Sequence, residues 1–198
     1  MPSKTDEEFY AREILKQIGY DEFELIVGER PDFHVTLDDR SVGIEVTEGA
    51  PESFIRGEKL RTTSGICTSG LRELDAQKKR ISNEYLRRKV ENSEWLNADR
   101  ALTLWLDAMM EKIIKKTDNC TKDGYRIFDR NWLFIWNNMH DTFSENIDLI
   151  MEVFQNEAGE LLADSTFDRV IIHSNWYLFN LQQDGAQVSL MNREKFNK

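Results

Sequence analysis

Residues 30–47 read Arg30-Pro31-Asp32-Phe33-His34-Val35-Thr36-Leu37-Asp38-Asp39-Arg40-Ser41-Val42-Gly43-Ile44-Glu45-Val46-Thr47, and both the fold and the candidate chemistry turn on this stretch. Two β-branched and aromatic runs, Asp32–Leu37 and Val42–Thr47, flank the turn-forming Asp38-Asp39-Arg40-Ser41, which predicts an antiparallel pair of strands. Asp32 opens the first strand. Glu45 lies inside the second, in an otherwise apolar run of Val42, Ile44 and Val46. A carboxylate there costs free energy unless it is paired or binds a cation. Two strand-borne carboxylates side by side repel, and a hard divalent ion relieves the repulsion while taking oxygen ligands. Mg²⁺ or Mn²⁺ held in this way polarises a phosphodiester and activates water against it. The purely structural alternative is that Asp32 ends a turn and Glu45 forms an ion pair.

Outward from this pair, Phe23–Val27 predicts a preceding strand, separated by Gly28-Glu29-Arg30-Pro31. Thr5–Gly19 predicts a helix, with Tyr10, Ala11, Ile14, Leu15 and Ile18 on one apolar face and Gly19 placed to stop it. Downstream, residues 49–70 read as irregular, Leu71–Val90 as a long polar helix, and Asp99–Lys116 as a helix with a Leu102, Leu106, Met109, Ile113 stripe. Trp132–Trp136 and Val170–His173 are compact apolar runs that predict buried central strands. Between them Glu145–Leu162 predicts an amphipathic helix. The expected class is α/β, with a mixed central sheet of about five strands flanked by helices. One domain is expected over 1–198, its core at about 5–48 and 99–180, with an inserted helical segment at about 49–98.

This order of elements, with PD opening the second strand and a Glu inside the third, resembles the PD-(D/E)XK, or restriction-endonuclease-like, nuclease superfamily. The first helix adds to the likeness, since Glu8, Ala11, Leu15, Gly19 and Tyr20 are similar to a pattern in the first helix of several such proteins. The resemblance implies a metal-dependent nuclease hydrolysing phosphodiester bonds, with DNA the expected substrate and Mg²⁺ or Mn²⁺ on Asp32, Glu45 and the carbonyl of Val46. It maps the helical active-site Glu onto Glu8, with Glu7 the runner-up on the apolar face. The chain departs from the pattern at Thr47, which stands where the family carries a Lys. Some members place that Lys on the following helix, where Lys116 is the first candidate and Lys112 the second. If neither reaches the site, the expected alternative is a catalytically inactive nuclease-fold module that binds protein or nucleic acid.

Charge sharpens the expectation. The net charge of −10 disfavours a nucleic-acid binder, but it is uneven: residues 1–55 carry −9, residues 56–91 carry +5 and residues 92–198 carry −6. Lys78, Lys79, Arg80, Arg87, Arg88 and Lys89 form the candidate nucleic-acid-binding face, the competing reading being an ordinary solvated helix surface. His34, His140 and His173 lack metal-ligand spacing, which excludes the familiar zinc hydrolase motifs, and no P-loop, serine elbow or dinucleotide glycine pattern is present. Two cysteines make no disulfide framework, no run reaches the ~20 apolar residues of a membrane span, and the polar start lacks a signal-peptide core. A cytoplasmic protein is expected, with a nucleic acid, a protein or a second copy of itself as partner.

Overall fold

A computed structural model describes residues 4–49, 98–137, 147–174 and 176–191. Two compact units divide the chain: residues 1–49 with 108–198, and residues 50–107. Of the second unit the described part is 98–107, the opening of a helix.

In the first unit, α1 spans Lys4–Gln17 and buries Ala11, Ile14 and Leu15, the centre of the face expected from the sequence. Gly19, at φ +105°, ends it: the Tyr20 N–H donates to the Leu15 carbonyl and the Gly19 N–H to the Lys16 carbonyl. This double closure satisfies carbonyls that the last helical turn leaves open, and it needs a residue tolerant of positive φ. Next come β1 (Ile26–Val27), β2 (Phe33–Leu37) and β3 (Arg40–Glu48), then α2 (Ala98–Cys120), β4 (Arg130–Asn137), α3 (Ile147–Ala163), β5 (Arg169–Ser174), β6 (Tyr177–Gln182) and β7 (Gly185–Leu190).

The seven strands form one mixed sheet whose spatial order follows the chain. β1–β2–β3 are antiparallel, β3–β4–β5 parallel, and β5–β6–β7 antiparallel again. The two parallel steps are those whose connections contain α2 and α3, as a parallel pair requires a crossover. Residues Asn131–Asn137 of β4 are buried throughout, as befits a strand with neighbours on both sides and helices on both faces. On one face Phe33, Val35, Val42, Ile44, Val46, Phe134 and Ile171 join the apolar side of α1 in a single cluster. On the other, α3 packs Phe154 edge-on against Phe179 of β6, their ring centroids 5.4 Å apart.

The α/β class and the mixed sheet are as the sequence predicts, but the sheet has seven strands rather than about five. The additional pair is the β6–β7 hairpin, which also carries the ordered core past residue 180 to Leu190. The first strand is shorter than Phe23–Val27: only Ile26 and Val27 pair, at the sheet edge, and both are exposed. The predicted helix Leu71–Val90 and most of the 49–98 segment lie outside the described residues.

Candidate functional site

Asp32 and Glu45 come together because of hairpin register. Phe33 pairs with Ile44, so the next step along the ladder sets Asp32 opposite Glu45. Alternation puts Ile44 and Val46 into the α1-side core and turns Glu45 to the opposite face. Asp32 Oδ2 accepts the Val46 N–H at 2.9 Å, which fixes its carboxylate against the strand that carries Glu45. In an extended strand a residue's N–H and C=O point to the same side, so the Val46 carbonyl is directed there too.

The last turns of α2 supply a cation. Lys116 Nζ lies 2.6 Å from Glu45 Oε1, with both side chains largely covered. No contact joins Lys112 to this group among the described residues, so of the two candidate lysines the structure brings Lys116 to the strand. Burial is the main cause that raises the Glu45 carboxyl above its ordinary value; Lys116 lowers it and Asp32 raises it further.

A second cation comes from α1. Lys4 Nζ is 2.6 Å from Asp32 Oδ1 and 3.6 Å from Glu7. Glu7 is the helical carboxylate of the cluster: burial and then Asp32 raise its pKa, while Lys4 and Lys116 lower it. Glu8 is elsewhere. Its Oε1 accepts both Nε and Nη2 of Arg12, at 2.9 and 2.8 Å, in a half-exposed i,i+4 pair. The helix phase therefore selects the runner-up Glu7 over Glu8. Sequence spacing could have shown this, since Arg12 one turn after Glu8 is a ready partner.

Tyr125 was missed altogether. It lies in the loop after α2, with its hydroxyl buried beside the Cys120 thiol. Burial pushes that hydroxyl far up, helped by the nearness of Cys120, Glu45 and Asp32. Cys120 donates its thiol to the Lys116 carbonyl at 3.2 Å, and burial raises its pKa, so it is an inert neighbour and not a nucleophile.

The remaining candidates divide. Lys78, Lys79, Arg80, Arg87, Arg88 and Lys89 lie outside the described residues, as does His140. Asn131 clamps the N–H and carbonyl of Phe128, and Asn137 donates to Ser174 Oγ at 3.2 Å, both strand-end roles. A cleft of about 320 Å³ opens near Tyr20, Asp38, Arg40 and Arg130, at the start of β3 and β4, and does not include Asp32 or Glu45.

Among the described residues no group of three or more His, Cys, Asp or Glu side chains is placed to hold a metal ion. The donors of the cluster are all hard oxygens, and Mg²⁺ typically binds through one or two carboxylates, waters and substrate phosphates. Asp32, Glu45 and the Val46 carbonyl fit that demand in chemistry, while Lys4 and Lys116 hold the carboxylate oxygens in the present arrangement. Comparison with protein-family models, with curated proteins and with solved structures finds no match for this chain.

Proposed function

We propose that the chain is a metal-dependent nuclease of the PD-(D/E)XK type, hydrolysing phosphodiester bonds, with DNA as the substrate. The observation that carries the reading is the 2.6 Å contact of Lys116 with Glu45 beside Asp32: it supplies, from α2, the cation that Thr47 does not provide. Asp32, Glu45 and the Val46 carbonyl are the groups suited to hold Mg²⁺ or Mn²⁺, an ion that serves this chemistry by polarising the phosphodiester and activating water. Lys116 stabilises negative charge as it develops on the phosphate, and Glu7 orients the polar groups around Asp32. The scaffold suits the role, since rigid strands position the carboxylates and a packed helix positions the lysine.

The second reading, a nuclease-fold module without catalysis, is favoured by the same ion pairs seen differently: Lys4 and Lys116 neutralise Asp32 and Glu45 as an ion would. Titration of Mn²⁺ by calorimetry into the wild-type chain and into Asp32→Ala separates the two. Binding that is lost in the variant supports the nuclease; no binding at millimolar ion favours the module.

A further inference from the structure

The loop after α2 runs along the face of β3 that carries Glu45. Phe128 covers Gly43 so closely that a Cβ there would meet Phe128 Cδ2 at 2.7 Å and Pro31 Cγ at 3.0 Å. His34, the partner of Gly43 in the β2–β3 ladder, stacks on the same ring at 5.3 Å and 24°. The Arg126 guanidinium lies over that ring, 4.6 Å from its centroid. The Arg126 N–H donates to the Arg30 carbonyl at 3.1 Å, and Arg30 Nη1 donates to the Asp123 carbonyl at 3.3 Å. Two arginines are thereby joined at the segment that leads, two residues later, into Asp32. Both are exposed, and among the described residues no ion pair engages either. The nearby Asp129 carboxylate is turned away onto the N–H and hydroxyl of Ser41.

A guanidinium laid on an aromatic ring keeps its fork of N–H donors free at the edge, in the geometry that matches phosphate oxygens. We propose that Arg126 and Arg30, held by Phe128, His34 and Gly43, form a phosphate subsite that grips the backbone of a nucleic-acid strand beside the Asp32–Glu45 centre. This inference rests on the nuclease reading and names where that enzyme holds its substrate. The basic stretch 78–89 lies outside the described residues.

The test is binding of a fluorescein-labelled single-stranded oligodeoxynucleotide in EDTA, by anisotropy over a salt series, for wild type, Arg126→Ala, Arg30→Ala and Asp32→Ala. Arg126→Ala should weaken binding about tenfold, the scale of one charge-assisted contact, and flatten the log–log salt slope by about 0.7, one single-strand phosphate. Gly43→Ala, which displaces the ring without touching a charge, should give a smaller loss of the same kind. Wild-type affinity and slope in both arginine variants would overturn the subsite, even if the wild type cleaves DNA with Mg²⁺. If the wild type binds no oligonucleotide, the subsite falls as well. Arginine-dependent binding by a chain that never cleaves would uphold the subsite while the nuclease reading fails; Asp32→Ala, which removes a negative charge beside the subsite and frees Lys4, should bind at least as tightly in EDTA.

Discussion

Lys116 and Glu45 meet at 2.6 Å although 71 residues separate them. The pair joins the last turns of α2 to the middle of β3. A lysine so placed holds Glu45 closer to its ionised form than burial alone allows.

Titration of Glu45 follows from that balance. Its carboxyl, raised above the usual value by burial, should titrate above ordinary glutamates in a ¹³C NMR titration, and Lys116→Met should move it higher still. Glu7, raised chiefly by burial and then by Asp32, has the same sign. Because these folded-state values exceed the unfolded ones, the folded chain keeps its protons longer. Stability therefore falls as pH rises from the ordinary glutamate value through the raised ones, and thermal melting of Glu45→Gln should lose much of that slope.

Glu7 and Glu8 should behave differently. Glu7→Gln removes a carboxylate coupled to Asp32 and should weaken Mn²⁺ binding severalfold by calorimetry. Glu8→Gln breaks a half-exposed pair with Arg12, costs about 0.3–0.5 kcal/mol in urea unfolding, and should leave ion binding unchanged.

Lys4 Nζ donates to Asp32 Oδ1, an oxygen that the proposed metal ion would need. Lys4→Ala should raise Mn²⁺ affinity severalfold in the same titration. An unchanged affinity would mean that the ion, if bound, does not use that oxygen.

The β2–β3 turn carries local strain open to a stability test. Asp38 and Asp39 both adopt positive φ, at 50° and 61°, the conformation of a type I′ turn. Asp38 accepts the Tyr20 hydroxyl at 3.1 Å, so the change belongs at Asp39. Asp39→Gly should stabilise the chain by about 0.5 kcal/mol in urea unfolding, through relief of a left-handed backbone at a non-glycine residue.

What the sequence disclosed follows from where its patterns are local. Asp32 and Glu45 were legible because strand alternation and a short turn place them opposite one another within one hairpin. Lys116 was legible as one of two lysines on an apolar helix flank, but only its 2.6 Å contact with Glu45 in the fold selects it over Lys112. Glu7 and Glu8 are adjacent residues, so a small error in helix phase exchanges them; the Arg12 partner of Glu8 carried the missing information. Lys4 and Tyr125 reach the cluster from a helix start and a loop, where no periodicity announces them. The β6–β7 hairpin had a signal in Asp184-Gly185, where the turn Gln183-Asp184 passes into β7 (Gly185–Leu190), with Gly185 at φ +136°. Its inward positions Leu178, Phe179 and Leu181 do not alternate cleanly, because residues on both faces of β6 are covered.

The most direct measurement is cleavage of plasmid and single-stranded DNA in Mg²⁺ by wild type, Lys116→Met, Lys112→Met and Asp32→Ala. Loss of activity by about 10²–10³-fold in Lys116→Met, abolition in Asp32→Ala and near wild-type rates in Lys112→Met are the expected results. Cleavage by Lys116→Met at the wild-type rate, or none by a wild type that binds Mg²⁺ and DNA, would contradict the assignment of Lys116 as the lysine of a nuclease.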